Sequence, residues 1–153
     1  MKKLKLFSMA LLLIAGSMIL ITSCNNNEDD AEGIVGTWKI TGAVFNPAYD
    51  PGSGLTTDAY SLMFGQACSQ DDLLIFQDNG TVISDEGALK CDSTSAQQTS
   101  DNYTLSGTTL IILGNDTTSL TSVSINSSTM SGSLSIDFGG GTPANIDMTL
   151  TRQ

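Results

Sequence analysis

Few side chains of this chain could do chemistry, because it contains no histidine. Without an imidazole, neither a Ser-His-Asp nor a Cys-His relay can activate a nucleophile. Two pairs of adjacent acids stand out, Asp71 with Asp72 and Asp85 with Glu86. Glycoside hydrolysis needs two carboxylates that face each other across a cleft at a defined separation, whereas adjacent residues of a strand point apart. The sequence therefore predicts a protein that is not an enzyme.

Metal chemistry is equally poorly supported by these residue types. Calcium could be held by Asp71, Asp72 and Asp78, yet no loop has the alternating ligand spacing of an EF-hand. A tetrahedral zinc site on Cys68 and Cys91 would need carboxylates to complete it. We expect neither a metal site nor a cofactor.

The first 23 residues have the layout of a secretory signal peptide. Three lysines precede an apolar run over 6–21, which is shorter than the roughly 20 residues that a spanning helix needs. The run ends in Ile21-Thr22-Ser23-Cys24, which resembles a bacterial lipobox, where the cysteine receives diacylglycerol and acyl chains such as palmitate. We therefore predict a lipoprotein signal peptide over 1–23 and a membrane partner reached through lipid on Cys24.

The cysteine count agrees with lipidation. Three cysteines in an exported protein leave one thiol over. If Cys24 carries lipid, Cys68 and Cys91 form an even pair, and a disulfide between them is the default in an oxidising compartment. Such a bond would stabilise the fold by about 3 kcal/mol.

The charge of the chain restricts its partners. The net charge is −10, and removal of the leader leaves three basic residues against all 16 acids, a net charge of −13. Such a surface repels phosphate backbones, so nucleic-acid binding is excluded. It is also repelled by anionic lipid headgroups, which favours a covalent anchor over an amphipathic one.

After the leader, the sequence divides into a spacer and one domain. Residues 24–35 are predicted to be a flexible acidic tether, because 25–33 contains no large apolar side chain that could be buried. Residues 36–153 have a length that suits a single domain.

Alternation of apolar and polar residues dominates that domain. One set of alternating residues comprises Trp38, Ile40, Gly42 and Val44. A second set, later in the chain, comprises Met130, Leu134, Ile136 and Phe138. This period of two indicates antiparallel strands with one dry face. Eight strands are predicted, near 37–45, 72–77, 80–85, 101–105, 108–113, 117–126, 129–138 and 144–151. Their short hairpin connections favour an all-β, eight-stranded up-and-down barrel over a sandwich.

One connection, over 46–71, is long enough to carry structure of its own. Leu55, Ala59, Leu62 and Met63 share a helical face within it. We expect a short helix in this first long loop.

Several short motifs together resemble a known family. Gly36-Thr37-Trp38 is similar to the Gly-x-Trp signature of lipocalins, and Arg152 is placed like the arginine that packs over that tryptophan in the family. The whole chain after the leader looks like the lipocalin-like lipoproteins of Bacteroidetes bacteria, by the lipobox, "GTWKIT", a cysteine before "DDLLIFQDNGT", a second cysteine after it and a terminal "LTR". The signature that lipocalins carry after their central strands is not identified.

The resemblance implies that the protein is located at the outer membrane. The protein would be lipid-anchored there, facing the periplasm or the cell surface. The acidic run over 28–30 is similar to the signal that sends such lipoproteins to the cell surface. A solvated spacer explains the same run.

The resemblance also implies binding of a small apolar or amphipathic ligand inside the barrel. An eight-stranded barrel is just wide enough for its side chains or for one small ligand. The residues we assign to binding are Tyr49, Tyr60, Met63, Phe64, Met130, Phe138 and Met148. The long-loop members could instead plug the mouth, and the alternative function is then a non-catalytic structural or interaction module, such as an accessory or inhibitor-like protein.

Overall fold

The computed structural model describes residues 33–139 and 142–153. The predicted signal peptide, Cys24 and most of the predicted tether lie outside the described residues. Within them the chain forms nine strands and a short helix: β1 (Gly36–Tyr49), β2 (Thr56–Asp58), α1 (Ala59–Phe64), β3 (Leu73–Phe76), β4 (Thr81–Asp85), β5 (Gln98–Ser106), β6 (Thr109–Leu113), β7 (Thr117–Ile125), β8 (Thr129–Ile136) and β9 (Ala144–Arg152).

The strands close into an antiparallel barrel. From β3 to β9 each strand pairs with the next, β1 pairs with β3, and β9 returns to pair with β1. These eight strands confirm the up-and-down barrel, and α1 confirms the short helix in the long loop. The ninth strand, β2, was not predicted. It is short and polar, and it pairs with Val44 and Tyr49 in the second half of β1, which extends beyond the predicted boundary of 45.

A β-bulge changes which residues of β1 point inward. Its pairing with β9 shifts register between Ile40 and Gly42. Because one extra residue reverses the alternation, Ala43 and Phe45 are buried, whereas Val44 is 50% exposed. The prediction that Val44 shares the inner face with Trp38 is therefore wrong. Gly42 also lies on the outer face, beside the exposed Thr149.

Strand β8 keeps the predicted parity but ends early. Met130 and Gly132 are buried in the barrel, as expected. Ser131 and Ser135 are exposed on the other face. The strand ends at Ile136, so Phe138 follows it in the connection to β9 instead of lying on the inner face.

The two ends of the barrel differ in the length of their connections. Residues 77–80, 107–108 and 126–128 join strands tightly at one end, where β1 begins and β9 finishes. We call this the closed end. The connections over 50–72, 86–97 and 114–116, together with the described residues between β8 and β9, lie at the opposite end. We call this the open end, and it is where the long loop and α1 lie.

Candidate functional site

The closed end is sealed by Trp38, Arg152 and the residues that precede β1. The Arg152 guanidinium lies 4.2 Å from the centre of the Trp38 ring, a cation–π contact. It also donates to the carbonyl oxygens of Val35 and Gly33, each at 2.7 Å. The indole Nε1 of Trp38 donates to the Ile34 carbonyl at 2.7 Å, and Ile34 is fully buried. Residues within the predicted tether thus take part in closing the barrel.

Gly36 is required by this arrangement. Its φ of +137° lies in a region that residues with a Cβ rarely adopt. A Cβ on Gly36 would also overlap the Nη1 atom of Arg152. The Gly-x-Trp motif and the terminal arginine therefore form one structural unit, which accounts for the predicted barrel signature without giving it a role in ligand binding.

The closed half of the barrel is filled by side chains. Trp38, Phe76, Leu110 and Met130 are among its largest fully buried groups. Met148 is also buried in the core. The two methionines assigned to ligand binding therefore pack within the barrel.

A cavity of about 260 Å³ lies at the open end, and we call it the mouth cavity. Its inner wall follows from the strand register, because directly opposed residues point to the same face. Leu74 is opposite Trp38 on β1 and opposite Ser84 on β4, and Ser84 is opposite Thr99 on β5. Leu74, Ser84 and Thr99 all line the cavity. The mouth cavity thus occupies the part of the open half next to β3, β4 and β5, while Phe45 and Ile146 are buried near the open ends of β1 and β9.

The lining combines three kinds of side chain. The apolar part consists of Ile40, Phe64, Leu73, Leu74 and Ala96; the hydroxyl part of Ser69, Ser84 and Thr99; and the acidic part of Asp72, Asp85 and Glu86. No basic residue belongs to it. A largely apolar pocket with a few polar groups is the usual form of a small-molecule site.

Helix α1 forms one side of the mouth. Asp58 caps its first turn by accepting a hydrogen bond from the Ser61 amide at 2.9 Å. The Tyr60 and Phe64 rings are 5.5 Å apart, and the Tyr60 hydroxyl donates to the Ile40 carbonyl at 3.4 Å. Phe64 lines the cavity. Tyr60 and Met63 pack against the core, so among the predicted helix residues Phe64 is the one in the lining.

The rim beyond the helix is fixed by covalent and polar links. Cys68 and Cys91 form the expected disulfide, with Cα atoms 5.1 Å apart, and it joins the long loop to the connection between β4 and β5. Asp71 adds to this link by accepting hydrogen bonds from the amides of Ala88 and Leu89, at 2.7 and 2.9 Å. These contacts hold the two loops together at one side of the cavity.

Hydrogen bonds satisfy only some of the carboxylate oxygens at the mouth. Glu86 accepts from the Ser95 hydroxyl through Oε1 at 2.7 Å, while its buried Oε2 has no partner within the described residues. Partial burial raises the pKa of Asp72, and the charges of Glu86, Asp71 and Asp85 raise it further. Asp85 differs, since hydrogen bonds from Gln98 and Gln97 lower its pKa. The mouth therefore carries negative charge that a positive group could offset.

A second aromatic cluster lies on the other side of the open end. The ring centroids of Tyr49 and Phe138 are 5.4 Å apart, and both rings contact Phe45. Phe138 is 42% exposed. These two predicted ligand residues are therefore brought together, but they do not line the mouth cavity.

The cavity also contains residues that were not assigned to it from the sequence. Ser84 and Thr99 are small polar residues on the inner face, where alternation alone predicts apolar ones. Asp72 and Glu86 flank the hairpin of β3 and β4, and they were considered only for catalysis and metal binding. Asp72 begins one predicted strand and Glu86 directly follows the next, and this position was the signal that could have placed them at the mouth.

The described part of the chain contains neither a candidate metal site nor a membrane-spanning helix. Residues 33–139 and 142–153 include no group of three or more potential ligands arranged to hold a metal ion. In the same ranges, no helix has the length and apolar character needed to cross a membrane.

Comparison with known proteins agrees with the fold. A family model described as "Lipocalin-like domain" matches residues 34–132, which is more than half of the chain. Neither the curated proteins nor the solved structures include a significant match. The matched span runs from the buried Ile34 to Gly132 on β8, so it covers the Gly-x-Trp motif, the helix and every residue that lines the mouth cavity. The chain belongs to the family of lipocalin-like domains.

Proposed function

We propose that this protein is a membrane-anchored lipocalin-like lipoprotein that binds a small amphipathic ligand in the mouth of its barrel. The observation that carries the proposal is the mouth cavity, which has an inner wall of apolar and hydroxyl side chains and an acidic rim. The barrel of the family is a small-ligand binding fold and is generally non-enzymatic.

The size of the cavity limits the ligand. A volume of 260 Å³ corresponds to the share of about nine water molecules in the liquid. It lies just below the roughly 300–1,000 Å³ of typical small-molecule pockets. A ligand of about nine non-hydrogen atoms fits the enclosed part, and a longer one would extend out of the mouth.

The lining defines the chemistry of that ligand. Ile40 and Leu74 offer apolar surface on the inner wall, so the tail of the ligand belongs there. Glu86 has an unpartnered buried oxygen, and Asp72 is surrounded by other acids. A positively charged or hydrogen-bond-donating head group placed between them would relieve this repulsion. The proposed ligand is thus an amphipathic molecule with an amine-like head.

The closed end of the barrel determines how the anchored domain would be oriented on the membrane. The chain reaches β1 through Ile34, which is buried under Trp38 at the closed end. If Cys24 is lipidated, the tether joins the barrel at this end and the mouth can face away from the membrane. We propose the outer membrane as the site of anchoring, on its periplasmic or its cell-surface side.

A second function is favoured by the apolar side chains that remain exposed at the open end. Leu55, Leu62 and Leu89 lie on its connections and are each at least half exposed. Together with the filled closed half of the barrel, they support a non-catalytic structural or interaction module. Such a module would contact a partner through the open end instead of enclosing a ligand.

Calorimetric titration with octylamine, octanol and octanoate tests the ligand proposal, because the three probes share a tail and differ in the head group. We expect octylamine to bind at least tenfold more tightly than octanoate, on the order of 1.4 kcal/mol. Ser84→Phe should abolish octylamine binding by filling the inner wall. Ile83→Phe is the matched control, since Ile83 is the neighbouring residue on the outer face of β4. Equal binding by both variants would disprove the site.

Labelling cells with an alkyne analogue of palmitate tests the anchor. The unaltered protein should carry the label and sediment with membranes, whereas Cys24→Ser should lose the label and become soluble. Cys68→Ser/Cys91→Ser is the control for loss of cysteine elsewhere and should keep the label. A labelled Cys24→Ser variant would contradict the lipobox interpretation.

A further inference from the structure

The barrel wall is split between β7 and β8 at the open end. The ladder joining the two strands runs as far as Leu120 opposite Leu134 and then stops. Each strand nevertheless continues to pair with its other neighbour. Strand β7 pairs with β6 up to Thr117, and β8 pairs with β9 up to Ile136. The two strands therefore diverge while remaining part of the sheet.

A cavity of about 590 Å³ occupies the split, and we call it the slot. It is lined by Thr117, Thr118 and Ser119 of β7 and by Ser133 to Ile136 of β8. It shares no residue with the mouth cavity. The slot is thus a separate site, and its use does not depend on the proposed function of the mouth.

Two strand edges form the sides of the slot, and Thr121 of β7 and Asn145 of β9 add to its lining. Alternate residues of a strand direct both N–H and C=O toward one neighbour. Along Thr117–Ser119 and Ser135–Ile136, the sides that face each other form no ladder. An unpaired strand edge is a template for pairing with another extended chain.

The volume of the slot matches a short strand. One residue in a packed sheet occupies about 3.4 Å along the strand, 4.8 Å between strands and 10 Å between layers, which is roughly 160 Å³. A volume of 590 Å³ therefore holds between three and four residues. The unpaired edge of β7 is three residues long, from Thr117 to Ser119.

The charge of the lining indicates which segments fit. Asp116 and Asp137 are the charged residues of the slot, and both belong to the connections at its open end. Leu134 and Ile136 add apolar surface, while threonine and serine hydroxyls and the Asn145 amide supply the rest of the polar lining. Basic side chains would be attracted by the two carboxylates, and apolar side chains would cover the leucine and isoleucine.

We propose that the slot binds an extended, basic peptide segment, which completes the barrel wall as an added strand between β7 and β8. Backbone hydrogen bonds to the two edges supply affinity, and Asp116 and Asp137 select for lysine or arginine. The occupant is a segment of a partner protein or a secreted peptide in which basic and apolar residues alternate.

Backbone amide NMR of the full protein tests this proposal with a capped pentapeptide that alternates valine and lysine. Shifts should concentrate at Thr117–Ser119 and Ser135–Ile136. The same peptide with glutamate replacing lysine should bind at least tenfold more weakly. A version N-methylated on its backbone should not bind, because it lacks the donors that strand addition requires.

Protein variants separate charge selection from general electrostatic attraction. Asp116→Asn/Asp137→Asn should weaken binding of the lysine peptide at least threefold. Asp78→Asn removes a charge at the closed end and should leave the affinity unchanged. The proposal is overturned if the N-methylated peptide binds equally well, or if no shift appears with millimolar peptide. It is also overturned if a disaccharide such as maltose, and not the peptide, shifts these amides, since the slot would then be a carbohydrate site.

Discussion

The closed and open ends of this barrel are stabilised in different ways. At the closed end, Arg152 contacts the Trp38 ring and two carbonyl groups, so its charge and donors are engaged by the fold itself. At the open end, Glu86 keeps a buried oxygen that has no hydrogen-bond partner in the described part of the chain, and Asp72 lies among like charges. Groups that a fold leaves unsatisfied are available to a ligand. This difference supports our proposal that the closed end contributes stability and the open end binds the ligand.

The closed end should therefore be the more sensitive to truncation. Trp38→Ala removes a fully buried indole, its hydrogen bond to Ile34 and its contact with Arg152. We expect a loss of about 3–5 kcal/mol in the free energy of unfolding, measured by urea denaturation. Phe138→Ala is the comparison at the open end, because Phe138 is 42% exposed, and it should cost clearly less. Similar losses in the two variants would remove the distinction between the ends.

The disulfide should affect the open end by a different route. Cys68→Ser/Cys91→Ser frees the two loops that form the rim and should lower the free energy of unfolding by about 3 kcal/mol. Octylamine affinity should fall as well, because Asp71 alone would then join the loops. Hydrogen exchange at the Trp38 indole reports on the closed end. In the variant, the protection of this proton should fall only as far as the lower free energy of global unfolding requires. A larger loss of protection would show that the two ends are coupled.

The sequence was most informative where alternation is strict. In β9, Ile146, Met148 and Leu150 are buried as their spacing predicts, and the neighbouring Asn145 and Thr149 are exposed. The Gly-x-Trp motif and the terminal arginine likewise lie together at the closed end. Short hairpins determined the order of the strands, because sequential strands with tight turns pair with their neighbours.

The open end could not be predicted in the same way. The bulge in β1 has no marker in the sequence, and it moves Val44 to the outer face. The mouth cavity depends on loops whose course is set by the disulfide and by Asp71 hydrogen bonds between residues distant in sequence. The split between β7 and β8 arises where two ladders diverge, although each strand alone has an ordinary pattern. Features that depend on the relation between elements are not encoded in local periodicity.

The bulge gives a direct test of that limit within one strand. Ala43 is opposite the buried Met148 on β9, so Ala43→Leu would overpack the core and should cost about 1–3 kcal/mol. Val44→Thr changes an exposed neighbour and should alter the free energy of unfolding by no more than about 0.5 kcal/mol. Urea denaturation of both variants distinguishes the bulged register from uninterrupted alternation, which predicts the opposite ranking.

The smallest expected effect concerns Asp147, on the outer wall near the open end. Its carboxylate accepts hydrogen bonds from the Ser133 hydroxyl at 2.7 Å and the Asn46 amide at 2.8 Å, which lower its pKa. A carboxyl whose pKa is lower in the folded state stabilises the protein above its unfolded pKa, and this stabilisation is lost as the pH falls through the folded value. Because the group is near the surface, we expect this stabilisation to be less than about 1 kcal/mol.

Asp147→Asn should thus lower the free energy of unfolding at pH 7 but not at pH 2. The loss of stability between these pH values should therefore be smaller in the variant than in the unaltered protein. Asp137→Asn is the matched control, since the hydrogen bond that the Asp137 carboxylate accepts among the described residues is a local one, from the Gly139 amide. An equal reduction in acid sensitivity for both variants would show that net charge, and not the hydrogen bonds across β1, β8 and β9, accounts for the effect.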